Sequence, residues 1–156
     1  MNSLHLRKAS ISDMSFFYEL KNDSTALQFS VTGKKVSKLE HEAWFINQID
    51  NQDRVLIVGK DSSNNLIGYA RYDREDNYFI SSINIKRDFR SQGYGKELLL
   101  RSEGFLPKEF SLMAIISKKN DRSIKLFESC LYAYDSEYKD PDFLVYKKGQ
   151  RDEIFK

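Results

Sequence analysis

The segment Ile83-Asn84-Ile85-Lys86-Arg87-Asp88-Phe89-Arg90-Ser91-Gln92-Gly93-Tyr94-Gly95-Lys96-Glu97-Leu98-Leu99 constrains this chain most. It reads as a strand that runs into a short basic loop, and the loop opens a helix at Gly93. The first N–H groups of a helix have no internal partners, and the helix dipole adds partial positive charge where they point. Such a helix start is an anion site. Gly93 and Gly95 let the backbone come close to a bulky phosphate. From Lys86 to Lys96 there are four basic residues and one acidic one, in a chain whose 25 Lys+Arg and 23 Asp+Glu leave a net charge of only +2. That balance excludes a general nucleic-acid or membrane binder, so the positive charge is local. The segment is not a P-loop, because Gly-x-x-x-x-Gly-Lys-Ser/Thr is absent. Nor is it a dinucleotide fingerprint, because no third glycine follows Gly95 at the required spacing.

Around this segment the periodicity predicts a mixed frame. Leu4 and Leu6 alternate with His5 and Arg7 as in a short strand. Ser10 or Ser12 can cap a helix carrying Ile11, Met14, Phe17 and Leu20, which Asn22-Asp23-Ser24 stops. Ser37-Lys38-Leu39-Glu40 is a capping box, and its helix, to about Asp50, carries Leu39, Ala43, Ile46 and Ile49 on one side. Val55-Leu56-Ile57-Val58 and Leu66 to Arg71 form a hairpin across Asp61-Ser62-Ser63-Asn64-Asn65, and Tyr78 to Lys86 is a third strand. The Gly93 helix ends near Gly104 and Pro107. A strand from Phe110 to Ile116 follows, then a helix capped by Asn120 with Ile124, Phe127 and Leu131, then strands at Tyr132–Asp135 and Phe143–Lys147. This order predicts a mixed α/β or α+β domain on a central, partly antiparallel sheet.

A chain of 156 residues, 40% hydrophobic, suits one domain, 1–156, with a real core. Nine Tyr and eleven Phe serve either core packing or an aromatic-lined pocket. Cys130 is the single cysteine, so no intrachain disulfide and no multi-cysteine metal site is expected, and no metal. Met1 to Arg7 lack the apolar stretch of a signal peptide. No run approaches the ~20 apolar residues that span a bilayer. The expected location is cytoplasmic.

Arg90, Gly93 and Gly95 fill the pattern Gln/Arg-x-x-Gly-x-Gly/Ala, and Ile85 stands five residues before Arg90 as an aliphatic strand residue. In these positions the loop resembles the acetyl-CoA loop of the Gcn5-related N-acetyltransferases, the GNAT superfamily. Arg87 stands where that family often has Pro, and Ser91 where it often has Gly. Asn120-Asp121-Arg122-Ser123-Ile124-Lys125-Leu126-Phe127-Glu128 resembles the family's Asn-x-x-Ser/Ala-Ile-x-Leu-Tyr/Phe-Glu helix, after one intervening strand. The resemblance follows the element order of the whole chain, with its specific motifs in residues 83–128.

The resemblance implies a GNAT-like α+β fold: a central mixed, mostly antiparallel sheet of about six to seven strands flanked by about four helices. It implies acetyl-CoA as cofactor. The strand edge at Ile83 and Ile85 would pair with the pantetheine arm, and a strand N–H near Ile85 would polarise the thioester carbonyl. The loop of Arg90, Ser91, Gln92, Gly93, Tyr94, Gly95 and Lys96 would hold the pyrophosphate. Asn120, Ser123 and Phe127 would lie beside the pantetheine or adenosine end. Lys118, Lys119 and Arg122 either reach outer phosphates or are solvated. Acetyl transfer also needs an acceptor for the ammonium proton and an acid for the thiolate. Many family members place that acid, a Tyr, where this chain has Phe127. Tyr132 and Tyr134 are the nearby substitutes, and an ordered water is the other source. Asp73, Glu75 and His41 are the candidate bases.

Lys21-Asn22-Asp23, Glu40-His41 with Trp44-Phe45, and Gly68-Tyr69-Ala70-Arg71-Tyr72-Asp73 resemble one subgroup, which acetylates nucleotide-linked amino sugars in pathways such as pseudaminic acid biosynthesis. That implies Asn22, His41, Trp44, Arg71 and Asp73 as acceptor residues. Trp44 can stack on a sugar or uracil face, and Arg71 can grip a diphosphate as a fork. The expected partner is a small-molecule amine, nucleotide-linked, with the protein a monomer or homodimer. Two other classes stay open. One is an N-acetyltransferase of a peptide N-terminus, polyamine or antibiotic, whose cationic acceptors call for an acidic groove. The other is a non-catalytic acyl-CoA-binding module.

Overall fold

The computed structural model of the protein describes residues 3–149, so the two ends of the 1–156 span lie outside the described residues. Its elements in chain order are β1 (His5–Lys8), α1 (Met14–Lys21), α2 (Ser24–Phe29), α3 (Lys38–Ile49), β2 (Arg54–Lys60), β3 (Leu66–Glu75), β4 (Tyr78–Ile85), α4 (Tyr94–Ser102), β5 (Ser111–Ser117), α5 (Asp121–Ser129), β6 (Ala133–Tyr134) and β7 (Phe143–Lys148). The strands form one seven-stranded sheet in the order β1-β2-β3-β4-β5-β7-β6. Among the described residues only β4 and β5 run parallel; the other neighbours are antiparallel. The α+β class and the mostly antiparallel mixed sheet are as the sequence implied.

Helices cover both faces. On one, Phe16, Phe17 and Leu20 of α1 and Phe45 of α3 pack on Leu56, Val58 and Tyr69. On the other, Leu98 and Leu99 of α4 and Phe127 of α5 pack on Ile67, Ala70, Tyr72 and Leu112. The run Leu56-Ile57-Val58 is buried throughout, as a strand covered on both faces must be. Much of the aromatic content is core: the Phe17 and Tyr69 rings stack at 4.2 Å, and Phe17 meets Phe45 at 5.2 Å.

Two local expectations change. Asp23 does not merely stop α1. Its carboxylate accepts from the Thr25 and Ala26 N–H groups and so starts the additional helix α2. In α3 the stripe Leu39–Ile46 faces outward, with Leu39 79% exposed, while His41 and Phe45 are buried. Aromatic rings bury more area than Leu or Ile, so the side that meets Phe17 goes inward.

The feature that positions the site is a fork in the sheet. β4 and β5 pair only at Tyr78↔Ser111, Phe79↔Leu112 and Ile80↔Met113. Beyond that point Ser81–Ile85 keeps its ladder to β3, and Ala114–Ser117 keeps its ladder to β7, but the two strands no longer join. The sheet therefore opens at the carboxyl ends of the parallel pair β4 and β5, where ligands of open α/β sheets bind. The open edge of β4 is held by Gly68, opposite Ile85. A Cβ on Gly68 would stand 2.5 Å from the Asn84 carbonyl oxygen, a backbone atom that cannot swing away. Gly68→Ala is expected to cost about 1–3 kcal/mol of stability by overpacking. Thermal unfolding checks this: an unchanged Tm would contradict the tight β3–β4 contact.

Candidate active site

The loop between β4 and α4 stands at the mouth of the fork. Two of its residues adopt left-handed backbone, Ser91 at φ 62° and Gly93 at φ 86°. Ser91 carries a Cβ in that region, a local strain of the kind that clusters at ligand clamps. Gly93 is the N-cap of α4, and among the described residues no side chain caps the helix. The N–H groups of the first turn therefore point into the open. Arg90 is not free to join them: its Nε donates to the Ile85 carbonyl at 2.8 Å and its Nη2 to Asp23 at 3.1 Å. Asp23 also pairs with Arg87 at 3.1 Å. The arginines thus tie the loop to α2, and Arg90 acts as its scaffold. Gly95 packs on Leu126 and Ile85, where a Cβ would make ordinary contact at 3.4 and 3.8 Å. An alanine fits there too, in keeping with the Gly/Ala choice of the motif.

Ile83 and Ile85 are half-buried along the open edge of β4. Asn120 is the N-cap of α5, its side chain accepting from the Ser123 N–H at 3.2 Å, which spends the Asn120 carbonyl on the helix itself.

On the opposite face of the sheet, three of the five residues expected for the acceptor come together with Lys21, which the sequence reading places in a subgroup motif but not among the acceptor residues. Lys21, at the end of α1, places its Nζ 3.7 Å from the centre of the Trp44 ring. The Arg71 guanidinium lies 5.5 Å from the same ring. Asp73 pairs with Arg71 at 3.3 Å and with Arg54 at 3.5 Å. Arg71 Nε is buried and finds no acceptor among the described residues. Burial, followed by the charge of Arg71, pushes Lys21 down to about 8. Arg71 pairs with Ser82 of β4, just past the last β4–β5 pair, so this cluster flanks the fork.

The remaining two are structural. Asn22 spends both amide atoms on Val36, at 3.0 and 2.8 Å. His41 is buried rather than on the helix surface, with Nε2 3.0 Å from the Met14 carbonyl. Burial first lowers its pKa, so the ring sits neutral beneath Trp44, 5.7 Å centre to centre.

Residues 15–131 match the profile of the acetyltransferase (GNAT) family. The chain belongs to that family. This acetyltransferase is an acetyl-CoA-dependent N-acetyltransferase. It is similar in fold to the spermidine N-acetyltransferase of Vibrio cholerae solved in complex with CoA and spermine, at 18% identity and TM-score 0.82 over 95% of this chain and 96% of that one. It is similar also to the spermidine/spermine N-acetyltransferase of the same organism in complex with manganese ions, at 19% identity and TM-score 0.74 over 95% and 93%. No curated protein sequence matches the chain.

Coenzyme A fits what the acetyltransferase presents. Uncapped N–H groups at the start of α4 suit its pyrophosphate. The unpaired edges of β4 and β5 suit the amides of its arm, as an added strand suits a sheet edge. The cofactor supplies an acetyl group activated as a thioester.

Neither tyrosine expected as acid is placed to serve. Phe127 is buried in the core and offers no proton. Tyr132 packs edge-on against it at 4.9 Å, and its hydroxyl donates to Glu103 at 2.8 Å. Burial and then the Glu103 charge raise its pKa, so that proton stays in place. Tyr134 is half exposed on the edge strand β6, with β7 and β5 between it and β4. Of the candidate bases, Glu75 is exposed opposite Tyr78 at the closed end of the fork. His41 is buried and Asp73 is held between two arginines.

Proposed function

We propose that this acetyltransferase acetylates the amino group of a nucleotide-linked amino sugar. In this reading the loop from Ser91 to Lys96 holds the cofactor's pyrophosphate, and the edge Ser81–Ile85 lies along its arm. The acceptor sits on the α1/α3 face beside Arg71. The observation that carries the acceptor is the pair of cations on Trp44. Lys21 has no carboxylate in ion-pair range among the described residues, and Asp73 is already neutralised by Arg71 and Arg54. A flat ring flanked by an ammonium and a guanidinium with a spare N–H suits a ligand that is both planar and anionic.

A second reading, a polyamine acceptor, rests on a different observation: the solved structures named above are spermidine N-acetyltransferases. That comparison favours a polyamine over an amino sugar, though at 18–19% identity its weight is on the fold. A polyamine would bring more cations to Lys21 and Arg71. Thiol release from acetyl-CoA decides between them, measured with UDP- and other nucleotide-linked 4-amino sugars beside spermidine and spermine. A nucleotide sugar is expected to exceed the polyamines by about tenfold or more in kcat/KM. Turnover of spermidine with none across the nucleotide sugars would overturn the first reading and establish the second.

A further inference from the structure

A chain of buried polar groups crosses from one side of the fork to the other. Ser81 is the first residue of β4 past the last β4–β5 pair. Its hydroxyl lies 2.9 Å from that of Tyr132. The Tyr132 proton goes to Glu103 Oε2 at 2.8 Å, so the Ser81 hydroxyl is the donor. Glu103 Oε1 accepts from Lys148 Nζ at 2.7 Å. Lys148 belongs to β7 and stands opposite Leu112 of β5, next to Met113, the last β5 residue that pairs with β4. The two ends of the chain are thus fixed to β4 and, through β7, to β5, each within one residue of the place where the strands part.

Ser81, Glu103 and Tyr132 are 4%, 3% and 3% exposed. A buried ion pair gives little stability over apolar residues of the same volume. Its links do have fixed partners and lengths, which sliding apolar contacts lack. Tyr132 is aimed inward by a costly turn: Leu131, at the end of α5, takes a left-handed φ of 71° with its own side chain exposed.

We propose that Ser81–Tyr132–Glu103–Lys148 is a brace that sets how far β4 and β5 stand apart, and so the width of the cleft that receives the cofactor's arm. Tyr132 is its positioning residue. It holds the cleft and gives up no proton.

Tyr132→Phe keeps the ring and cuts the brace at its centre; Ser81→Ala cuts only one end and disturbs folding least. Both are expected to raise the dissociation constant of CoA in calorimetry, by about tenfold for Tyr132→Phe. Amide exchange of Ser81–Ile85 should quicken by about tenfold while β1–β2 stays as slow as in the parent. The double variant Glu103→Leu, Lys148→Met separates bracing from stability. It is expected to keep a Tm near the parent's yet bind CoA as weakly as Tyr132→Phe. CoA affinity within about twofold of the parent in all three proteins would overturn the brace. So would affinity loss that tracks Tm alone, with exchange quickened evenly over the whole sheet.

Discussion

Gly93→Asp is expected to weaken CoA binding by about a thousandfold while costing only about 1 kcal/mol of stability. Gly93 sits at φ 86°, ψ −4°. Asp and Asn are the side chains that accept left-handed backbone most readily. A carboxylate at a helix start is favourable for the helix itself, through the dipole. The same carboxylate would stand among the N–H groups that meet the pyrophosphate in the proposed site. Like charges about 4 Å apart cost about 4 kcal/mol at an effective dielectric near 20, and each 1.4 kcal/mol is about a decade of affinity. Gly93→Asn is the control, with the same shape and no charge, and should lose less than about tenfold. Calorimetric titration with CoA beside thermal unfolding reads both effects. Equal affinities for the two variants would show that the pyrophosphate does not rest on this turn.

The second large effect belongs to Arg71. Arg71→Met keeps an unbranched stem and removes the guanidinium that lies over Trp44. It should lower acceptor kcat/KM by about a hundredfold, since truncating one partner of a buried charged contact costs about 2–5 kcal/mol, and leave CoA affinity unchanged. Lys21 gives the matching pH dependence. Its folded pKa, about 8, lies below the ordinary 10.5 because burial and Arg71 disfavour its charge. The unfolded chain therefore binds more protons than the folded one from about pH 8 to 10.5, and the Lys21 contribution to stability rises with pH across that window. An anionic ligand restores the charge. Affinity for UDP, an unreactive probe, should be full below about pH 8 and fall by up to tenfold per unit above it. Lys21→Met should flatten that fall. A polyamine would show the opposite slope, binding better as Lys21 loses its proton.

What the sequence disclosed was mostly local. The strand, loop and helix around Gly93 are written in adjacent residues, and so is the Asn120 cap. The fork is not, because it depends on where β5 stops pairing with β4, and those strands meet only through tertiary packing. The brace joins Ser81 to Tyr132 and Glu103 to Lys148, pairs 51 and 45 residues apart. Its one sequence signal is that Lys148 follows Leu144 and Tyr146 at strand spacing, a cation ending an apolar face. In α3 the spacing of Leu39, Ala43 and Ile46 is as helical as that of His41, Phe45 and Gln48. Only the rings of Phe17 and Tyr69 decide which stripe turns inward. Trp44, Arg71 and Asp73 were legible as types able to hold an acceptor, whereas Lys21 joins them only because α1 ends over Trp44.

The most direct measurement is a titration of isotope-labelled protein with CoA, followed through its backbone amide resonances. The account predicts the largest shifts at Gly93, Tyr94, Gly95 and Lys96, with a second set along Ser81–Ile85, because those N–H groups gain phosphate and arm partners. Saturable CoA binding that leaves these amides in place and moves another surface would contradict it.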